Sequence, residues 1–152
     1  MKTIIFLFLF GLSLTVFDPE KSLEYAKNYC DQEYPIYSKL NMDDGFSGMF
    51  VSRAIQYAGH SVMVCFEWKG EIFYIPKGHS LMHCLSKHGW KSTTTPPKKF
   101  KPGYPIFRKT DNAAMIFDSF KGNNVYAYGH LFDTGYCNQP LGEKNDFIYY
   151  YL

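Results

Sequence analysis

The chain has 152 residues, sixteen Lys and Arg against fourteen Asp and Glu, and a formal net charge of +2. That length holds one domain of ordinary size and leaves little room for two. Apolar residues make up 46% and charged residues 20%, which excludes wholesale disorder, and the near-neutral balance lacks the basic excess of a nucleic-acid binder.

Residues 1–17 read as a secretory leader: Lys2, then an apolar run from Ile4 to Leu12 containing Phe6, Phe8 and Phe10. The run is too short to span a bilayer, which needs about 20 apolar residues. Ser13 and Thr15 suit a cut that makes Val16 the first mature residue, and a cut after Phe17 is the alternative. Loss of the leader removes Lys2 and leaves 15 − 14 = +1. The mature domain is then 18–152, secreted and extracellular or lumenal, with no membrane attachment. All four cysteines, Cys30, Cys65, Cys84 and Cys137, lie beyond the leader. Two disulfides are expected in such a compartment, with three pairings open. No N-x-S/T sequon occurs in the mature chain.

Asp18-Pro19-Glu20 opens a first helix: a capping carboxylate, a proline in the first turn and an acid at the positive end of the dipole. Leu23, Ala26 and Cys30 continue it at helical spacing through about Tyr29, and Tyr34 to Met42 reads as a loop. A second helix is predicted over Ser47–Ala58, with Ser47 as N-cap and Gly59 as stop. Phe50, Val51, Ala54, Ile55 and Ala58 give it a broad apolar face, so it is expected to be central. Ser61–Trp68 and Glu71–Ile75 suggest a hairpin around Lys69-Gly70, and Ser80–Lys87 a short helix stopped by Gly89. Thr93 to Pro102 reads as an exposed loop. Strands are expected at Tyr104–Phe107, Ala113–Phe117, Val125–His130 and Phe147–Tyr151, with a turn at Lys121–Asn124. Helices first and antiparallel strands last make an α+β domain.

A polar residue at the start of a buried helix is a common place for a nucleophile, and Ser47 holds that place. Residues 47–59, Ser-Gly-Met-Phe-Val-Ser-Arg-Ala-Ile-Gln-Tyr-Ala-Gly, resemble the amidase domain of the papain-like (NlpC-type) cysteine hydrolases. There an Asp-Cys-x-x-Phe-Val-Ser-Gln motif begins the central helix. Tyr25-Ala-Lys-Asn-Tyr29, Gly103-Tyr-Pro-Ile-Phe107, Asn112-Ala-Ala-Met-Ile116 and Tyr128-Gly-His130 resemble further segments of that family.

The resemblance implies a papain-like fold, with N-terminal helices packed on an antiparallel sheet. It also places Ser47 where the family has its catalytic cysteine and Asn112 where it has its base, with only the later histidine, His130, kept. A thiolate–imidazole pair cannot form from these residues. The implied protein is a degenerate amidase that holds a peptide or peptidoglycan-type fragment without cutting it, with tyrosines and tryptophans supplying stacking faces. Two rivals follow: an active amide hydrolase with Ser47 as nucleophile and His130 as base, and a structural or interaction protein whose cleft is filled.

Other clusters read as structure. Cys65 and Cys84 suit a core or a disulfide. His79 and His83 stand at i, i+4, one helix face, without the Glu of a zinc-hydrolase motif, and read as a surface pair; no metal and no cofactor are expected. His60 and His88 read as helix-end residues, Asp43-Asp44 as charge near a helix start, and Lys98-Lys99-Phe100-Lys101 as a solvated loop. A monomer is expected.

Overall fold

Local sequence signals set the helices of the computed structural model, which describes residues 16–32, 46–60, 67–69, 72–74, 78–131 and 134–152. The leader segment 1–15, the expected loop at 34–42, Asp43-Asp44 and Cys65 lie outside the described residues.

Helix α1 spans Pro19–Tyr29, and the Asp18 carboxylate accepts from the Glu20 amide at 3.0 Å, the expected cap. Such a cap stabilises a helix by about 1 kcal/mol. Helix α2 spans Phe46–Tyr57 and helix α3 spans Gly78–Lys87. Both end in the same motif. The Gly59 amide donates to the Gln56 carbonyl and the His60 amide to that of Ile55; Gly89 and Trp90 repeat this with Ser86 and Leu85. α2 begins one residue earlier than expected, which puts Ser47 inside its first turn instead of at the cap.

The predicted hairpin is present as β1 (Glu67–Lys69) and β2 (Ile72–Tyr74), paired antiparallel. The main sheet has six antiparallel strands in the order β3-β8-β4-β5-β6-β7. They are β3 (Lys91–Thr93), β4 (Pro105–Arg108), β5 (Ala114–Lys121), β6 (Asn124–Leu131), β7 (Thr134–Glu143) and β8 (Phe147–Tyr151). The turn from β5 to β6 closes on the Lys121↔Asn124 pair, as expected.

Two strands depart from the sequence reading. Lys91–Thr93, taken to begin a loop at Thr93, pairs with Tyr149–Tyr151 as an edge strand. Thr134–Glu143 had no strand signal: it holds Pro140, two glycines and Asn138 at φ 50, and most of it is exposed. Its register with β6 shifts twice, so the edge is bulged and less open to pairing with another chain.

Alternation along the sheet divides the core. Phe107, Ala114, Ile116, Tyr128 and Tyr150 face the helices and meet Val51, Ala54, Ile55, Leu81 and Leu85. Ile106, Met115, Phe117, Val125, Phe147 and Tyr149 face the other way, where Phe100 covers them. Phe100 sits within 5.1 Å of both Phe117 and Tyr149 rings, which anchors the otherwise exposed Lys98–Lys101 run.

Part of the aromatic surplus is therefore core. Tyr128, Tyr149, Tyr150 and Trp90 are all under 7% exposed and offer no stacking face, contrary to expectation. Burial, with Asp146 adding, pushes the Tyr149 phenol up to about 12.

Phe17, counted with the leader in the 1–17 boundary, packs in the helix-side core, 4.9 Å from the Trp90 ring and 5.4 Å from Tyr104. A cut after Thr15 keeps this residue and a cut after Phe17 removes it. Cys30 pairs with Cys137 and ties the end of α1 to β7. Cys84 is also disulfide-bonded. Among the described residues no helix is long and apolar enough to cross a membrane.

Candidate functional site

The first turn of α2 presses Ser47 onto the start of β5. Ser47 is 5% exposed, and its Oγ accepts a hydrogen bond from the Ala114 amide at 3.1 Å. Ala114 lies at the first position of β5, where the strand's ladder leaves that amide free for a side-chain acceptor. The hydroxyl thus works as a tie between helix and sheet. Ser52, one turn on, turns its hydroxyl back to the Met49 carbonyl at 2.9 Å, so it too serves the helix.

Asn112 sits two residues before Ala114, at the end of the turn that joins β4 to β5, with φ 58. The turn is held by Asn112 N–H to the Arg108 carbonyl, 2.8 Å, and Arg108 N–H to the Ala113 carbonyl, 2.9 Å. Asp111 braces it from inside, accepting from Arg108 Nε at 3.0 Å and from the Ala113 amide at 3.1 Å. The Arg108 guanidinium holds the Asp111 carboxyl below its usual range, and Asp111 in turn raises the guanidinium. Both side chains are part exposed, so this pair adds little stability. Asn is among the few residues that accept left-handed backbone, and that requirement alone accounts for its presence here.

The turn has a second constraint. A Cβ on Gly78, the first residue of α3, would lie 1.9 Å from the Asn112 carbonyl oxygen. Only glycine lets α3 approach the turn this closely.

His130, near the end of β6, is 3% exposed. The Met115↔Gly129 pair places it one step further along, beside Ala114. Its Nε2 lies 3.1 Å from the Gln32 carbonyl oxygen just past α1. A carbonyl can only accept, so this nitrogen carries the proton.

Ser47, Asn112 and His130 are thus brought to one end of the sheet. Sequence reasoning missed the partners that hold them there: the Ala114 amide, the Gln32 carbonyl and the Gly78 contact. None of these carries a side-chain signal, because each is backbone.

Two surface hollows lie elsewhere. One, of about 700 Å³, runs along α1 past Glu20, Leu23, Glu24 and Lys27 to Lys101. The other, of about 630 Å³, lies between α3 and the β3–β8 edge, where His79, Met82 and His83 face Ser92, Thr93 and Tyr150.

Cys30, Asp31 and Cys137 also cluster, but the two sulfurs are joined as a disulfide and offer no thiolate to a metal. At the far end of α2, Trp90 Nε1 donates to His60 Nε2 at 3.2 Å, and His60 Nδ1 is buried with no partner among the described residues. Burial, helped by His88, pushes the His60 imidazole down. The helix-end reading of His60 and His88 holds.

Comparison of the chain with protein-family models, curated proteins and solved structures finds no match.

Proposed function

We propose that this chain is a secreted, catalytically silent domain of the amidase type, with a papain-like arrangement, that binds a peptide or cell-wall fragment without cutting it. The observation that carries the reading is the burial of Ser47 and His130 on backbone partners, at 5% and 3% exposure. A nucleophile must be open to substrate and within reach of a base. Here the serine oxygen accepts a hydrogen bond from the Ala114 amide, the histidine Nε2 donates to the Gln32 carbonyl, and the position the family gives its base holds an asparagine.

The arrangement supports descent from a working site: a central helix whose first turn meets the strand that follows Asn112, with His130 on the next strand. Binding without turnover is supported by the hydroxyl-lined hollow between α3 and the β3–β8 edge, whose Ser, Thr and Tyr groups suit a sugar or peptide backbone. The same burial also favours a second reading, an interaction protein in which the inherited cleft is closed.

The test uses the mature, disulfide-bonded protein. Wild type is titrated with soluble disaccharide-peptides from peptidoglycan and followed by amide chemical shifts and by product analysis. Shifts around the Asn112 turn and α3 without hydrolysis are expected. Ser47→Cys with Asn112→His restores the family pair, since histidine also tolerates left-handed backbone, and amidase activity is expected in that variant. Wild-type turnover abolished by Ser47→Ala would overturn the silent reading. No shifts in wild type and no activity in a folded double variant would overturn the amidase reading and leave the interaction protein.

A further inference from the structure

The geometry points to a copper site on α3, built from His79, Met82 and His83. These residues stand at i, i+3 and i+4, so one turn of helix carries all three on one face, with about 6 Å of rise from first to last. The structure adds what spacing alone does not contain. All three line the same hollow, the two histidines are exposed, and Met82 is half-buried, packed partly against the helix-side core. The opposite wall supplies neutral oxygens from Ser92, Thr93 and Tyr150. Among the described residues no carboxylate lines the hollow.

The donor set selects the metal. Without carboxylates it is a poor site for Ca²⁺ or Mg²⁺, which require several oxygen ligands, mostly anionic. Two imidazoles suit Cu²⁺, Zn²⁺ and Ni²⁺, and affinity for divalent ions at such a site peaks at copper. A thioether is a soft ligand that favours Cu⁺. Two imidazoles with a thioether therefore hold copper in either oxidation state, with water or wall hydroxyls completing the shell around Cu²⁺. The site stands whether or not a cell-wall fragment binds to the domain.

The experiment titrates metal-free, disulfide-bonded mature protein with Cu²⁺, with Cu⁺ under anaerobic conditions, and with Zn²⁺. It is read by calorimetry and, for Cu²⁺, by electron paramagnetic resonance. One copper per chain is expected, with nitrogen hyperfine structure from two imidazoles. His79→Ala or His83→Ala should each weaken copper binding by about tenfold or more. His88→Ala, outside the hollow, should leave it unchanged. Met82→Leu should weaken Cu⁺ by a similar factor and leave Zn²⁺ unaffected. Wild-type affinity no greater than that of a His79→Ala, His83→Ala double variant would overturn the site. A Cu⁺ affinity untouched by Met82→Leu would overturn the three-donor set. Both histidines are exposed and alanine favours helix, so these variants fold.

Discussion

Ser47→Ala separates a structural serine from a catalytic one. The substitution removes the acceptor of the Ala114 amide at a site where Ser47 is 5% exposed and Ala114 is fully buried, so no water replaces it. Leaving a buried N–H unpaired costs about 1–3 kcal/mol. Alanine returns up to about 0.5 kcal/mol of helix propensity in the first turn of α2, so the net loss is about 0.5–2.5 kcal/mol. At about 3 °C per kcal/mol for a domain of this size, the melting midpoint should fall by about 1.5–8 °C. Urea unfolding followed by circular dichroism measures the loss. Hydrogen exchange gives the local readout: the Ala114 amide should be protected in wild type and exchange much faster in the variant. A Ser47→Ala protein as stable as wild type, with Ala114 still protected, would refute the helix-to-sheet tie and the argument against catalysis built on it.

Cys30→Ala with Cys137→Ala opens a loop of 107 residues, which by the chain-entropy relation costs about 4.8 kcal/mol at 25 °C; a drop in urea midpoint worth less than about 1 kcal/mol would show that the bridge constrains little. Expressed from residue 1 in a secretory host, the protein should carry Val16 at its amino terminus by mass spectrometry, and Phe17→Ala should cost about 3–5 kcal/mol, because the ring is core. Asn112→Gly should be near neutral and Asn112→Ala should cost about 1–2 kcal/mol, the difference measuring left-handed backbone at φ 58. His60 is held below the ordinary value near 6.5, so the unfolded chain takes up this proton first as pH falls. Its contribution to stability should be full above about pH 6.5, decline as pH falls toward the lower folded value, and stay flat below that. His60→Phe should remove this slope in urea titrations across the same window, and a slope unchanged in that variant would refute the assignment.

Much of the fold is written locally. The α1 cap, the glycine stops after α2 and α3 and the strand-forming runs of β4, β5, β6 and β8 each depend on residues a few positions apart, and each stands within a few residues of where the sequence puts it. β3 and β7 do not. β3 is three residues long and is a strand only because β8 pairs with it, while β7 holds the residues that mark turns and gains its ladder from β6 alone. The candidate site divides in the same way. Ser47, Asn112 and His130 were nameable from a motif, but the turn that needs Asn112 depends on the Arg108–Ala113 register, and the partner of Ser47 lies 67 residues away. The tyrosines of β8 were unreadable for a similar reason: a Tyr-Tyr-Tyr run has no polar alternation, and the faces of Tyr149 and Tyr150 were decided by what covers each side of the sheet.

By itself, the sequence determined the three helices to within a residue or two at their ends, and that the strands of the main sheet are antiparallel and mostly late in the chain. Those features arise from caps, backbone preferences and side-chain periodicity, which act over one turn or one pleat. Tertiary structure alone decided the strand order, the Cys30–Cys137 pairing, the core place of Phe17, the backbone partners that hold Ser47 and His130, and the shared hollow of His79, Met82 and His83. Each of these needs two segments distant in the chain to meet, and the entropy of closing those loops is offset only when the whole core forms at once.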